Sequence, residues 1–259
     1  MRNNFLALFL ASFFLALPMT AQAAYVGSML NAPLDVMEEN RMVIAGEANI
    51  VSGRDLETKA GVTNKIDGSN QIGLKAEYGL TEGVGLFFKV GTADWTFQSG
   101  SPLSIEYDNN LYYGAGMKYV YRSETNFMLA GDFQYLWQPK AEAGDVTSGS
   151  TAATNIKGLD AEIRELQVSV LFGYKVDLST DTSIVPYAGI ALNSFDFKID
   201  SGSFDAPGAV SRAAQSYGGD DMLGFIVGTS LQTGTSFNIN LEGRFVAEEA
   251  FSIGINYRF

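Results

Sequence analysis

The sequence predicts an all-β chain: a single transmembrane antiparallel up-and-down β-barrel of about ten strands. Eight and twelve are the neighbouring even counts. Three observations carry this. From residue 42 onward, apolar and polar residues alternate with period two in one segment after another, as in strands with a different environment on each face. The connections between segments are mostly short and long by turns, so one end has tight turns and the other long loops, as in membrane barrels. Aromatic residues gather near the segment ends, where a membrane barrel carries its interfacial girdles.

The elements follow in chain order. MRNNFLALFLASFFLALPMTAQA has a basic Arg2, an apolar run from Phe5 to Leu17 and an Ala21-Gln22-Ala23 cleavage pattern. That is the layout of a secretory signal, so residues 1–23 are expected to be removed and the mature chain to begin at Ala24. Residues 24–41 lack clean alternation and are expected on the periplasmic side, as a short segment or plug. The barrel then occupies residues 42–259. Strands are expected near 42–51, 70–80, 84–95, 110–121, 127–137, 165–176, 183–196, 221–231, 236–246 and 250–259. Tight turns fall at 81–83, 122–126, 177–182 and 233–235. The stretches 52–69, 96–109, 138–164 and 197–220 read as long loops, and 247–249 is a short connection on the long-loop side. Pro186 lacks a ladder donor and suggests a strand start or a bulge in the seventh strand, where Tyr187 and Ile190 also leave the facing open.

Alternation alone does not say which face is outside, and a soluble calycin-like barrel with an apolar interior is the alternative. The polar face is rich in glycine (Gly73, Gly79, Gly85, Gly91, Gly114, Gly116, Gly173), which suits close approach in a narrow lumen. It also carries both signs of charge. Glu47, Glu77, Asp132, Glu165 and Glu242 are expected to face the same interior as Lys75, Lys89, Lys118, Lys175, Arg244 and Arg258. If Tyr121 pairs with Phe127, Lys118 stands opposite Ala130 and diagonal to Asp132. Aromatics fall in two groups. Tyr78, Tyr119, Tyr121, Phe127, Tyr174, Tyr257 and Phe259 lie toward the short turns. Trp95, Tyr112, Tyr113, Tyr135, Trp137, Phe195, Phe245 and Phe251 lie toward the long loops. Two belts favour an apolar face against lipid.

The final segment, FSIGINYRF, places Phe251, Ile253, Ile255, Tyr257 and Phe259 on one parity. With the signal segment and the hairpin rhythm, it resembles the last strand of the bacterial outer-membrane β-barrel class. That resemblance covers residues 42–259 and implies a Gram-negative outer membrane. It also implies that these five residues are the signal recognised by the barrel-assembly machinery. The class includes porins, small anchors and enzymes, so the resemblance gives a location and not a task.

Composition narrows the chemistry. There is no cysteine and no histidine, and 17 basic residues stand against 29 acidic ones. The missing cysteine removes disulfides and thiolate metal sites. The acidic balance excludes a nucleic-acid role. The phospholipase, omptin-type and lipid A deacylase classes of outer-membrane enzyme rely on a catalytic histidine, the usual general base near neutral pH. No enzyme and no cofactor are therefore expected. The Gly-x-Gly fragments 83–85 and 114–116 fall in or beside strands and are not phosphate loops. One weak metal candidate is an acidic outer rim of Asp220, Asp221, Glu248 and Glu249, with Asp196 and Asp200 beside it, which could share divalent ions with lipopolysaccharide phosphates. The expected function is envelope structure or surface interaction, with a narrow porin-like channel as the alternative. The expected partners are outer-membrane lipid, lipopolysaccharide and the assembly machinery. The sequence leaves the oligomeric state open.

Overall fold

The structure, a computed structural model, describes residues 37–259 except 60, 101–102, 206–208, 221, 235 and 248. The expected signal segment and residues 24–36 lie outside this range. Ten strands form the barrel: β1 Met42–Lys59, β2 Val62–Thr81, β3 Val84–Ser99, β4 Leu103–Arg122, β5 Phe127–Ala141, β6 Ala161–Tyr174, β7 Thr182–Ile199, β8 Leu223–Thr233, β9 Phe237–Val246 and β10 Glu249–Arg258. Each pairs antiparallel with the next, and β10 closes on β1 from Val43↔Arg258 to Gly53↔Glu249. Closure leaves the wall no free edge, which a strand in hydrocarbon requires.

The outward parity is apolar over the middle of every barrel strand. Ile72 and Phe88 are 69% and 70% exposed, and Leu74, Val90, Leu111, Met117, Phe133, Val168, Phe172, Leu192, Leu241 and Ile253 continue the same band. A soluble monomer does not expose apolar surface on this scale, but a bilayer covers it. The calycin-like alternative is thereby set aside. Tyr78, Tyr119, Tyr121, Phe127, Tyr174, Tyr257 and Phe259 ring the short-turn end, and Tyr113, Tyr135, Trp137 and Phe251 the other. From Tyr113 to Tyr121 is about 26 Å of strand at roughly 3.3 Å per residue. At a tilt near 40° this gives about 20 Å of depth, close to the apolar band of membrane barrels.

Three of the aromatics expected in the outer girdle face inward instead: Trp95, Tyr112 and Phe195 are buried, and Phe245 is half-buried. Tyr112 simply shares the inward parity of Lys118 on β4; for Trp95 and Phe195 the reason lies in the neighbouring stretches expected to be loops. β1, β2, β3, β4 and β7 run on past the girdle, β1 and β2 pairing as far as Lys59↔Val62 and β3 and β4 as far as Ser99↔Leu103. In the extensions of β3 and β7 the facing chemistry inverts without any change of parity. On β1, β2 and β4 the inward parity itself steps by one residue, to Arg54 and Leu56, to Asn64 and Ile66, and to Ile105 and Tyr107. On β3 the inward row passes from Phe87, Lys89 and Gly91 to Ala93, Trp95 and Phe97. The outward row passes from Leu86, Phe88 and Val90 to Asp94, Thr96 and Gln98. Above the membrane, water is outside and the apolar side chains turn in.

The result is an outer tier with its own core. Leu56, Ile66, Trp95, Phe97, Ile105, Tyr107, Val146, Ile163, Phe195, Phe197, Ile199, Phe204 and Tyr217 form one buried cluster. Phe197 packs against Phe97, Tyr217 and Tyr107 with ring centroids 5.3, 6.3 and 6.1 Å apart. β8, β9 and β10 end near the girdle. In their place a single strand, Gln215–Gly218, pairs with β7 and reaches β1 through Leu56↔Gly219, so the tier is narrower than the barrel below it. Ala143–Ser148 continues from β5 along β4, and Thr154–Gly158, Gly202–Asp205 and Ala209–Arg212 form a small separate sheet.

Pro186 lies inside β7 without a bulge. The β7–β8 register is continuous from Thr182↔Thr233 to Leu192↔Leu223. On the other edge the ladder breaks between Tyr187↔Gly173 and Ile184↔Val176, the point where proline has no N–H to give. Tyr187 faces in and Ile190 out.

Candidate functional site

The interior of the membrane-spanning part is the candidate site, and strand parity builds it. β1 supplies Glu47, β2 Lys75 and Glu77, β3 Lys89, β4 Lys118, β5 Asp132 and β9 Glu242 and Arg244. All eight are buried, four of each sign, so their formal charge sums to zero. Glu77 is the hub: Lys118 Nζ is 2.8 Å and Lys75 Nζ 3.1 Å from its carboxylate. Lys89 reaches Glu47 at 3.5 Å, and Arg244 reaches Glu242 at 3.7 Å. Two phenols complete the network, Tyr112 donating to Glu47 at 3.4 Å and Tyr187 to Glu242 at 3.0 Å. Charges withdrawn from water need such partners.

The register differs from the expected one. Lys118 pairs directly with Asp132, and Tyr121 with Leu129, because the chain bends back one residue later, with Ser123 N–H donating to the Phe127 carbonyl. An ion partner of Lys118 is nevertheless Glu77, two strands away on β2. Glu165 is buried higher up, where it meets a residue that the alternation did not single out. Arg54 Nη1 lies 3.1 Å from Glu165, and its guanidinium sits 3.7 Å above the Phe195 ring. Arg54 escaped notice because its segment read as a loop. Lys175 and Arg258 face the interior but are only half-buried at the short-turn mouth.

The interior is also less polar than the alternation implied. Val120, Met128, Ala130, Leu171, Val185, Tyr187, Ala191 and Ile226 pack together inside β4–β8. Glycines make room for rings: a Cβ at Gly73 would fall 2.1 Å from Tyr112 Oη, and one at Gly228 would fall 2.3 Å from the Tyr187 ring. Ion pairs thus fill one side of the lumen, and an apolar cluster with neutral polar residues such as Gln134 and Gln167 the other.

The two ends differ. The outer end is capped by the core of the outer tier, where burial holds the Tyr107 and Tyr217 phenols above the ordinary tyrosine range, and so neutral. The short-turn end opens into a cavity of about 1040 Å³ lined by both signs of charge, among them Glu38, Arg41, Glu82, Arg122, Lys175 and Arg258. Met37, fully buried, packs over the inner face of β3: a Cβ at Gly85 would lie 3.2 Å from Met37 Cγ. The Met37 carbonyl accepts the Gly83 N–H at 2.8 Å, and Gly79 exchanges backbone bonds with Asn40 and Arg41.

Of the acidic rim, Asp221 and Glu248 lie outside the described residues. Asp220 donates its N–H to the Asp55 carbonyl, and Glu249 is paired with Gly53. Asp196 and Asp200 have cations of their own, Lys198 and Lys140, at 3.1 and 3.0 Å. Among the described residues no three acidic side chains form a group that could hold a metal ion. Phe251, Ile253, Ile255, Tyr257 and Phe259 all face outward.

A closed, even-stranded antiparallel wall, an apolar belt between aromatic girdles and opposite ends of unlike length are now all in place. This is the fold of a bacterial outer-membrane β-barrel. The outer membrane is accordingly where the chain resides. No protein-family model matches the sequence, and no curated protein matches it either. Among solved structures, the translocator domain of autotransporter NalP from Neisseria meningitidis is similar over 87% of this chain and 91% of its own, with a TM-score of 0.49 and 13% identity. The transport unit of the Escherichia coli autotransporter AIDA-I is similar over 92% and 93%, at TM-score 0.47 and 10% identity. The outer membrane protein OprG from Pseudomonas aeruginosa follows over 86% and 97%, at 0.45 and 12%. At such identities and TM-scores nothing about a task follows from them.

Proposed function

We propose that this outer-membrane barrel is a non-enzymatic structural component of the envelope whose outer tier serves as a contact surface. The observation that carries this is the filled interior: a charge-balanced, buried ion-pair network beside an apolar cluster, beneath a capped outer end. Barrels near eight strands fill with side chains, whereas open aqueous channels need about sixteen. The absence of histidine from the sequence supports a non-enzymatic role. Its partners are then outer-membrane lipid and lipopolysaccharide around the wall. During biogenesis the barrel-assembly machinery reads the outward row Phe251, Ile253, Ile255, Tyr257 and Phe259.

The second reading is a narrow passive channel for small solutes or ions, favoured by the charged cavity at the short-turn end and by the row of inward lysines above it. Purified protein in a planar bilayer decides between them. The closed reading expects no steady conductance above the lipid baseline. Reproducible unitary steps, altered when Lys89 or Lys118 is changed to Glu, would overturn it in favour of the channel.

A further inference from the structure

Between β2 and β3 the wall is interrupted above the apolar band. β2 and β3 pair up to Gly68↔Thr96 and again from Gln71↔Ala93, and the two rungs between, at Ser69/Trp95 and Asn70/Asp94, are absent from the ladder. β1 shifts register beside the gap, between Val51 and Gly53, and β3–β4 does so at Ala93/Trp95. The Asp94 carboxylate stands in for the missing rung. It accepts the Asn70 backbone N–H at 2.6 Å and Asn70 Nδ2 at 3.2 Å. Between the parted strands lies a recess of about 340 Å³, near the lower end of the range for ligand pockets, roughly 300–1,000 Å³.

The recess is polar and carries no cation: Asn70, Asp94, Thr96 and Glu106 are on the outward parity, with Ser69 and Val51 behind them. Ser69 is 3% exposed, and its Oγ makes no hydrogen bond. One rung nearer the membrane, on the same inner wall, Asn49 and Gln71 bond to each other yet leave Asn49 Oδ1 and Gln71 Nε2 buried without partners. Buried polar atoms are rarely left unmade, so the Ser69 hydroxyl, which lines the recess, suits a guest with hydroxyls. The depth is informative too. The outward neighbours Ile50, Ile72 and Val90 lie in the apolar band, and Asp94, Thr96 and Glu106 lie above it, so the mouth opens at headgroup level.

We propose that this recess is a binding site for one uncharged sugar ring, presented by a glycolipid headgroup of the outer leaflet. The Asp94 and Glu106 carboxylates accept sugar hydroxyls and disfavour phosphate, and Ser69 meets the ring from behind. The site is independent of whether the lumen conducts, so bilayer recordings and the experiment below fail separately.

The test uses the full chain in phosphatidylcholine nanodiscs, with and without a monoglucosyl diacylglycerol. Backbone hydrogen exchange at Ser69–Gln71 and Asp94–Thr96 is the readout. The glycolipid should slow exchange there, and Ser69→Ala and Asp94→Asn should each weaken its apparent affinity about tenfold, the worth of one well-placed hydrogen bond. Equal protection by soluble methyl β-glucoside supports the site and assigns recognition to the ring alone. Protection by the glycolipid only supports it and ties it to the membrane. The proposal is overturned if neither sugar protects, if phosphatidylglycerol protects as well as the glycolipid, or if Ser69→Ala binds like the unaltered protein.

Discussion

Glu77 holds two lysines at once, and removing it leaves Lys75 and Lys118 buried around a neutral group. Stranding one side of a buried ion pair costs about 3–5 kcal/mol. Glu77→Gln should therefore lower stability by that order in urea unfolding from lipid vesicles, while the triple change Lys75→Met, Glu77→Leu, Lys118→Met should recover most of it. A Glu77→Gln protein as stable as the unaltered one would refute the hub. The ring-and-glycine contact gives a second prediction. Gly73→Ala drives a methyl into Tyr112, a clash expected to cost about 1–3 kcal/mol. Gly73→Ala and Tyr112→Leu together should destabilise less than their separate effects summed, since residues in contact do not add. Strict additivity in the same unfolding assay would count against the contact. The inward charges were legible in the sequence from parity alone. Their partners were not, because Lys118 and Glu77 sit on strands two places apart in the barrel and no local rule links them.

At the scale of elements, the last strand and the strap before the first meet at one corner. Phe259 N–H donates to the Met42 carbonyl at 3.0 Å, and Arg41 Nη1 donates to the Phe259 carbonyl at 3.2 Å. Deleting Phe259, or changing it to Asp, should strand the protein in the periplasm, where fractionation and immunoblotting would find it depleted by degradation. Undiminished outer-membrane levels would mean Phe259 is only a lipid contact. The strap plays another part. Its described part, residues 37–41, borders the cavity of the short-turn end through Glu38, Glu39 and Arg41 and contributes no rung to the closing β1–β10 ladder. Deleting residues 24–41 should leave a barrel that still folds, with a normal heat-dependent gel shift. Loss of the shift would make the strap part of the fold itself. The ten strands were legible because each carries lipid-facing residues on one parity. The extensions were not: outward of residue 52 in β1, only Leu56 among the described inward positions is a large apolar residue, too sparse to read as a strand.

For the whole molecule, the membrane barrel and the outer tier share strands but rest on different forces. Lipid holds the apolar side chains of one from outside, and water drives those of the other inward. Phe197→Ala should remove about 3–5 kcal/mol of packing from the tier. Limited proteolysis should then cut the outer-tier segments faster while the membrane part stays protected and heat-shifted. Simultaneous loss of both would show that the two layers fold as a single cooperative unit. The inversion of facing explains why Trp95 and Phe195 read as girdle residues. Each lies within a few positions of the interface, and sequence position gives height along a strand but not the solvent at that height.

The narrowing above the membrane also bears on how such a surface changes over generations. Three strands stop at the girdle and one short segment bridges their span, so the outer ends of the remaining strands pack on an apolar core of their own above the bilayer. Substitutions at those tips meet neither lipid nor the assembly signal in β10. Changes at those tips are thus expected to leave the barrel beneath them as it is.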